Sequence, residues 1–232
     1  MSMIMNKEII IKAVNLNKVY GDKVNSNLVI NNLDLEINQG EFVIITGPSG
    51  SGKSTLLNLL SGLETPTKGK VYLSGKDLNQ LNGKEKAKLR QEEIGFVFQV
   101  YNLISTLNVY DNISLPLIIQ GNKEDSKRVL QLLDLTKLTE AKNKYPEELS
   151  GGMQQRVAIC RSIVHNPKIV FADEPTGNLD RKTGEEIMGI FSQINQDFKT
   201  TIVLVTHNPN HLIYATRIIE LANANVIRDE RI

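Results

Sequence analysis

The sequence predicts an α/β fold built around a mainly parallel central sheet. Four short runs are apolar without alternation, at residues 42–47, 94–99, 168–174 and 200–207. A strand that is apolar on both faces is typical of a parallel sheet, because helices cover both faces of such a sheet. Long stretches with helical patterning separate these runs, and an alternation of strands and helices is typical of α/β proteins.

The N-terminal segment predicts two further strands of a different kind. Residues 9–21 and 32–42 both read as strands. In the second, Leu33, Leu35 and Ile37 alternate with other residues, so all three lie on one face of the strand. The first central run, which lacks this alternation, follows directly.

The C-terminal third predicts a buried helix and a hairpin. After the segment 183–186, the apolar residues recur at the spacing i, i+3, i+4, i+7, which is that of a helix with one buried stripe. They are Ile187, Ile190, Phe191 and Ile194. Residues 217–229 then predict a β-hairpin, since asparagines stand at the centre of the segment, where a turn is needed.

Residues 100–165 interrupt the succession of strands. This stretch is helical in pattern and lies between two central strands, so we interpret it as an inserted helical lobe rather than an independent domain. Its expected core residues are Leu130, Leu133, Leu135 and Leu138. The whole chain, 1–232, is then a single domain, in which residues 1–99 and 166–232 form the core and residues 100–165 the inserted subdomain.

Composition excludes several classes of protein. The chain has 232 residues, 41% hydrophobic and 23% charged, as in an ordinary globular domain. A net charge of +1 disfavours a nucleic-acid binder driven by overall charge. The single cysteine, Cys160, permits no internal disulfide. The opening residues lack the features of a signal peptide, and no apolar stretch reaches the ~20 residues of a membrane span. Any membrane part would therefore belong to another chain.

One motif indicates nucleotide binding. Residues 47–55, GPSGSGKST, stand between a predicted buried strand and a predicted helix. In such a loop the glycines let backbone N–H groups converge on phosphate oxygens at the positive end of the helix. Lys53 then reaches the β- and γ-phosphates, Ser54 ligates Mg²⁺ and Thr55 contacts the α-phosphate. The residues of this phosphate loop are Gly47, Pro48, Ser49, Gly50, Ser51, Gly52, Lys53, Ser54 and Thr55.

Other polar residues stand at the ends of the remaining central strands. Asp173 is positioned to hold Mg²⁺ through its water shell, and Glu174 to polarise a water that attacks the γ-phosphate. His207 and Gln99 end two more of these strands, where Gln99 could ligate the metal or the attacking water. A lone histidine is usually structural, but carboxyl ends of parallel strands gather at one edge of the sheet. We therefore expect these residues to surround one nucleotide.

Together these residues resemble the ATPase subunit of an ABC transporter along essentially the whole chain. Residues 47–55 match its Walker A motif, residues 169–174 its Walker B motif, Gln99 the Q-loop glutamine and His207 the switch histidine. The segment LSGGMQQR at 149–156 resembles the ABC signature, which other P-loop proteins lack. The resemblance implies a P-loop NTPase core with an N-terminal antiparallel β-subdomain. It also places Tyr20 against the adenine ring and identifies Asp180 with the D-loop.

The same resemblance implies that two chains close over two ATP molecules. Ser150 and the backbone N–H groups of Gly151 and Gly152 would bind the partner's γ-phosphate, with Asp180 also acting in trans. Glycine would be needed there because a Cβ would block the approach. Met153 departs from the glutamine or glutamate usual in the signature. Cys160 also departs, replacing an alanine, and its apolar neighbours indicate a core thiol.

Three longer segments, at residues 41–73, 94–117 and 172–180, resemble the lipoprotein-release, macrolide-exporter and bacitracin-resistance branch of this family. This implies ATP and Mg²⁺ as ligands. The expected partners are membrane permease subunits and, on ATP binding, a second copy of the chain or a closely related ATPase subunit, with no nucleic acid. The expected location is cytoplasmic, at the inner face of the membrane. The permease is expected to dock at residues 101–117, although Leu103, Ile104 and Leu107 fit an ordinary core equally well. The alternatives are a soluble ABC-type ATPase without a permease, and a catalytically inactive module.

Overall fold

The computed structural model describes residues 8–21, 25–121 and 126–232. The prediction about the opening residues falls partly on 1–7, outside the described residues. The strands are β1 (Ile9–Tyr20), β2 (Asn27–Asn38), β3 (Phe42–Thr46), β4 (Lys68–Leu73), β5 (Lys76–Asp77), β6 (Ile94–Phe98), β7 (Ile169–Asp173), β8 (Thr201–Val205), β9 (Arg217–Ala222) and β10 (Asn225–Arg231). The helices are α1 (Lys53–Leu60), α2 (Gly83–Glu93), α3 (Val109–Ile119), α4 (Ser126–Leu135), α5 (Gly151–Ile163) and α6 (Arg181–Phe198). Three short 3₁₀ helices cover Thr139–Ala141, Pro146–Glu148 and Pro209–Tyr214.

The predicted central sheet is confirmed. Its strand order is β10-β9-β3-β8-β7-β6, and every pair from β9 to β6 is parallel. Only β10 runs antiparallel, as the second strand of the predicted C-terminal hairpin, and both turn residues, Asn223 and Ala224, have positive φ. The carboxyl ends of β3, β8, β7 and β6 therefore meet at one edge of the sheet.

Alternate residues of the central strands enter two different hydrophobic clusters. In β3, Phe42 and Ile44 pack with α5 and α6, whereas Val43 and Ile45 pack with α1 and the N-terminal strands. This explains the unbroken apolar runs, because both faces of the sheet are covered. The stripe of α6 is confirmed as well. Its four predicted residues, which pack with α5 in the first cluster, are Ile187, Ile190, Phe191 and Ile194.

The N-terminal strands form a separate antiparallel sheet in the order β2-β1-β4-β5. Leu33, Leu35 and Ile37 are all buried on one face of β2, as their alternation predicts. This sheet packs through the second hydrophobic cluster onto α1, which follows the phosphate loop. The antiparallel β-subdomain is thereby confirmed.

Helices α3, α4 and α5 lie in the chain between β6 and β7, which are neighbours in the sheet. The exact limits 100 and 165 stay a prediction. Leu133 and Leu138 are buried and Leu135 is partly buried against the same cluster, but the prediction for Leu130 is wrong, since this side chain is 47% exposed. The buried stripe of α4 consists of Val129, Leu132 and Leu133, and Leu130 falls outside it.

Cys160 is fully buried on α5, in agreement with the predicted core thiol. Burial raises its pKa to about 12, and its Sγ lies 3.3 Å from Oγ1 of Thr136. Among residues 8–21, 25–121 and 126–232, no helix combines the length and the apolar character needed to cross a membrane.

Candidate active site

The phosphate loop joins β3 to the N-terminus of α1, as predicted. Gly47 has φ 140°, and a Cβ there would lie 2.1 Å from the carbonyl oxygen of Leu221. Gly52 caps α1 in the left-handed region, with φ 97°, and its Cβ would lie 2.7 Å from the carbonyl oxygen of Val29. Both positions therefore require glycine. The Oγ atom of Ser51 is buried without a hydrogen-bond partner among the described residues, as in a site shaped for a ligand.

Lys53 points into this loop. Its Nζ donates to the carbonyl oxygens of Gly47 (2.9 Å) and Pro48 (2.8 Å), and the side chain is largely buried. An ammonium group is thereby fixed beside backbone N–H groups at the start of a helix. Both features favour an anion at this position.

The side chains of Ser54 and Asp173 meet across the sheet edge. The hydroxyl of Ser54 donates to Oδ1 of Asp173 at 3.0 Å. Burial raises the pKa of Asp173, with a further upward contribution from Glu174. A hydroxyl and a carboxylate are the oxygen ligands that Mg²⁺ takes from proteins, usually only one or two of them beside phosphate oxygens and water. The pair fits the predicted metal ion.

Glu174 and His207 form a direct pair. Oε2 of Glu174 lies 2.9 Å from Nδ1 of His207, although the two residues follow different strands, β7 and β8. Glu174 has φ 46°, unusual for a residue with a side chain, and its N–H donates to the carbonyl oxygen of Val205. Such a backbone is typical of functional sites that hold a side chain in a required direction.

Gln99 follows β6 as predicted, but its side-chain amide is hydrogen-bonded to Asn178. Nε2 of Gln99 donates to Oδ1 of Asn178 (3.0 Å), and Nδ2 of Asn178 donates back to the carbonyl oxygen of Gln99 (3.1 Å). The structure thus joins Gln99 to the loop that carries Asp180. Sequence reasoning missed Asn178, which lies two residues before Asp180.

Tyr20 is 39% exposed and is held from two sides. Its hydroxyl donates to Oε2 of Glu64 at 2.6 Å, and Nζ of Lys18 lies 4.8 Å from the ring centroid. The hydroxyl is also 3.5 Å from Oγ1 of Thr55 at the end of the phosphate loop. The ring is therefore oriented beside the loop, as base stacking requires. Sequence reasoning missed both Glu64 and Lys18.

The signature segment opens α5. Ser150 is the N-cap of this helix, and its Oγ accepts from the N–H of Met153 at 3.4 Å. A Cβ on Gly151 would lie 2.7 Å from the hydroxyl of Tyr101, and one on Gly152 would lie 2.5 Å from the methyl group of Thr183. A larger residue at either position would therefore displace a neighbouring side chain, so packing within the chain favours glycine here. That these glycines leave room for a partner's phosphate stays a prediction.

Asp180 is the N-cap of α6. It accepts from the N–H of Thr183 at 3.1 Å and from the Thr183 hydroxyl at 2.5 Å. The hydrogen bond from the Thr183 hydroxyl is the main reason that the pKa of Asp180 is lowered. Met153, the departure from the family pattern, is partly buried and packs against the cluster around α5.

The buried imidazole of His211 gives stability a pH dependence. Burial lowers the pKa of His211 below its ordinary 6.5, and burial also lowers that of His165. The unfolded chain therefore binds protons at these groups first as pH falls. We expect the free energy of unfolding to decrease between about pH 7.5 and about pH 5. The loss begins near the ordinary pKa of 6.5 and approaches ~1.4 kcal/mol for each unit of lowered pKa only once the pH is below the lowered pKa.

Urea unfolding at the two pH values measures this effect. In the variant His165→Phe/His211→Phe the same pH change should alter the free energy of unfolding less. An equal pH dependence in wild type and variant would show that neither histidine is its source.

The family model described as ABC transporter matches residues 30–177. The chain belongs to the ABC transporter family. It is thus an ATPase of the ABC type, an ATP-binding subunit of a transporter complex.

Two named relatives belong to the branch that the sequence predicts. The bacitracin export ATP-binding protein of Halalkalibacterium halodurans is 41% identical over 94% of this chain and 87% of its own. A lipoprotein-releasing system ATP-binding protein of Chlorobium chlorochromatii is 42% identical, over 88% of this chain and 84% of its own. An ATP-binding cassette of Methanocaldococcus jannaschii, solved as a dimer bound to ADP and Pi, superposes with a TM-score of 0.86. It is 43% identical and covers 95% of this chain and 98% of its own.

Proposed function

We propose that this chain hydrolyses ATP as one half of a dimer that closes over two nucleotides, and that closure moves a membrane permease. The observation that carries the proposal is the meeting of Lys53, Asp173 and the Glu174–His207 pair at one edge of the central sheet. These groups supply a cation for phosphate, a carboxylate for a metal ion, and a base for water.

Within one chain, Lys53 and the N–H groups of the phosphate loop bind the ATP phosphates. Ser54, Asp173 and Gln99 are the residues that would hold Mg²⁺. When bound, this ion neutralises charge on the phosphate oxygens. Glu174 accepts a proton from the attacking water, and His207, hydrogen-bonded to Glu174, orients that carboxylate. Tyr20 stacks on the adenine.

The second half of each site comes from another copy of the chain. Ser150 is exposed at the N-terminus of α5, where a helix favours anions. The N–H groups of Gly151 and Gly152 and the carboxylate of Asp180 lie near it, at the starts of α5 and α6. We assign these four residues to the partner's ATP. The dimeric relative bound to ADP and Pi supports this assignment.

A groove supports the proposed contact with a permease. It has a volume of about 590 Å³ and runs between α2, α3, α5 and β6, with Leu63, Phe96 and Ile119 among its apolar walls. Ile119 is 62% exposed, a large apolar side chain facing solvent. Phe98, which immediately precedes Gln99, also lines the groove. We assign the groove to a short amphipathic helix of the permease, whose docking would act directly on Gln99.

The expected docking segment at residues 101–117 divides into two parts. Leu103 packs against the hydrophobic cluster of the lobe, whereas Ile104 is 39% exposed. Two hydrogen bonds from Arg161 to the carbonyl oxygens of Tyr101 and Asn102 tie this segment to α5. Only part of the segment is thus open to a partner.

The proposed complex places the chain at the cytoplasmic face of a membrane, where it drives export, lipoprotein release or peptide resistance. These activities are taken from relatives named for bacitracin export and lipoprotein release. A soluble ABC-type ATPase without a permease is the alternative. It gives no role to the exposed apolar groove.

A pull-down from gently solubilised native membranes tests the proposal. The bait is tagged Glu174→Gln with ATP and Mg²⁺, and we expect it to recover a permease with few membrane spans and a large extracytoplasmic domain. Adding Ile119→Glu should prevent recovery, because it places a charge in the apolar groove. Adding Ile213→Glu is the matched control, since Ile213 is 82% exposed outside the groove.

Other outcomes of this experiment are equally informative. A permease with many spans would keep the transporter function and overturn the choice of branch. Recovery of soluble partners alone would favour the alternative. Recovery that does not depend on Ile119 would refute the groove as the docking surface.

A further inference from the structure

The loop that carries His207 is held by a second, buried histidine. His211 lies four residues later, in the 3₁₀ helix Pro209–Tyr214, and is only 2% exposed. Its Nδ1 lies 3.0 Å from Oγ1 of Thr206, and its Nε2 lies 3.2 Å from Nδ2 of Asn208. One imidazole thus contacts the residue before His207 and the residue after it.

The hydrogen bonds determine which ring nitrogen carries the proton. Oδ1 of Asn208 accepts from the N–H of Asn210, so the amide nitrogen of Asn208 is the atom that faces His211. Nδ2 donates, and Nε2 of His211 must therefore accept. The proton then lies on Nδ1, which donates to Oγ1 of Thr206. This network requires the neutral imidazole with hydrogen on Nδ1.

Further bonds connect the network to the phosphate loop. Oγ1 of Thr206 also accepts from the N–H of Asn208 at 3.1 Å, which closes the loop around His207. The N–H of Thr206 donates to the carbonyl oxygen of Ile45, in the strand that leads into the phosphate loop. By contrast, the side chain of His207 is 72% exposed, so packing restrains it little. Its position depends on the backbone on either side.

From these contacts we infer that His211 is a positioning residue for ATP hydrolysis, which holds His207 against Glu174 by clamping Thr206 and Asn208. The inference rests on the proposed function, because it gives His211 a role only through the Glu174–His207 pair. His211 itself touches neither of these side chains through a hydrogen bond. It acts on the rate of the chemical step and leaves the binding of ATP to Lys53 and the phosphate loop unaffected.

Two substitutions remove the clamp from opposite sides. His211→Phe keeps the ring but loses both nitrogens, and Thr206→Val keeps the shape but loses Oγ1. In each we expect single-turnover hydrolysis to slow by about 10- to 100-fold, because small displacements of a catalytic group are costly. ATP affinity should stay unchanged. The double variant should be slowed by clearly less than the product of the two single effects, since the bond between Nδ1 of His211 and Oγ1 of Thr206 is lost in both.

Two further variants separate positioning from general stability. His211→Asn keeps an amide N–H near the place of Nδ1 and should recover part of the rate lost in His211→Phe. Tyr214→Phe changes the same 3₁₀ helix away from the clamp and should hydrolyse ATP at the wild-type rate. If His211→Phe does not fold, Thr206→Val decides the question. A wild-type rate in folded Thr206→Val, or an equal loss of ATP affinity and rate, would overturn the inference.

A spectroscopic measurement distinguishes failure of the clamp from failure of the proposed function. In the ¹⁵N NMR spectrum of the full chain, His211 should show a protonated Nδ1 and an unprotonated Nε2, whether or not the protein hydrolyses ATP. The opposite tautomer would exclude the clamp. Absence of hydrolysis in the wild-type chain and its complex, with the expected tautomer present, would refute the proposed function instead.

Discussion

We expect Lys53→Ala to remove most of the affinity for ATP. The Lys53 ammonium is held inside the phosphate loop by two carbonyl oxygens, so the change deletes a largely buried positive charge where phosphates bind. Loss of one partner of such a charge pair costs about 2–5 kcal/mol. Calorimetric titration with ATP measures the affinity directly.

The matched control for this variant is Lys84→Ala, which changes the net charge equally at an exposed position of α2. It should bind ATP like the wild type. Circular dichroism establishes that both variants are folded. A folded Lys53→Ala protein with wild-type affinity would remove the assignment of residues 47–55 as the phosphate-binding loop.

Glu174→Gln should bind ATP, hydrolyse it very slowly and accumulate as a dimer. Glutamine has nearly the same shape but does not accept a proton from water, and general base catalysis contributes roughly 10²- to 10⁴-fold. Since ATP persists between the two chains, the closed state remains populated. Phosphate release measures the rate, and light scattering with size-exclusion chromatography measures the dimer.

Ser150→Arg in the Glu174→Gln background tests the dimer geometry. The bulky side chain at the start of α5 should prevent closure without reducing ATP binding to the single chain. Glu147→Gln in the same background is a control at an exposed carboxylate and should dimerise with ATP like the Glu174→Gln parent. Glu174→Gln that remains monomeric at saturating ATP would contradict the closed dimer.

Much of the fold could be predicted because its signals are local. The unbroken apolar run at 42–47 predicts a strand covered on both faces, and the two clusters that share β3 confirm it. The prediction for Leu130 is wrong because α4 has neighbouring apolar residues that cannot all face one side of a helix. Val129, Leu132 and Leu133 take the buried stripe. Choosing among such stripes needs knowledge of what packs against the helix.

The site could be predicted only in part, for a related reason. Strand ends indicate that Asp173 and Glu174 lie near the phosphate loop, since carboxyl ends of parallel strands meet. The partners of these residues do not follow from strand order. Asn178 engages Gln99 and Glu64 engages Tyr20 across 79 and 44 positions of the chain. His211 does lie close to His207 in sequence, but its burial and its contact with Thr206 depend on the tertiary fold.

The close contact between Gly152 and Thr183 constrains how this protein can change over evolution. A Cβ at Gly152 would lie 2.5 Å from the methyl group of Thr183, so Gly152→Ala requires that side chain to move and should be better tolerated after Thr183→Ser, which removes the methyl. Substitutions at these two positions, at the starts of α5 and α6, are therefore expected to be correlated through packing within one chain, whether or not a partner is bound.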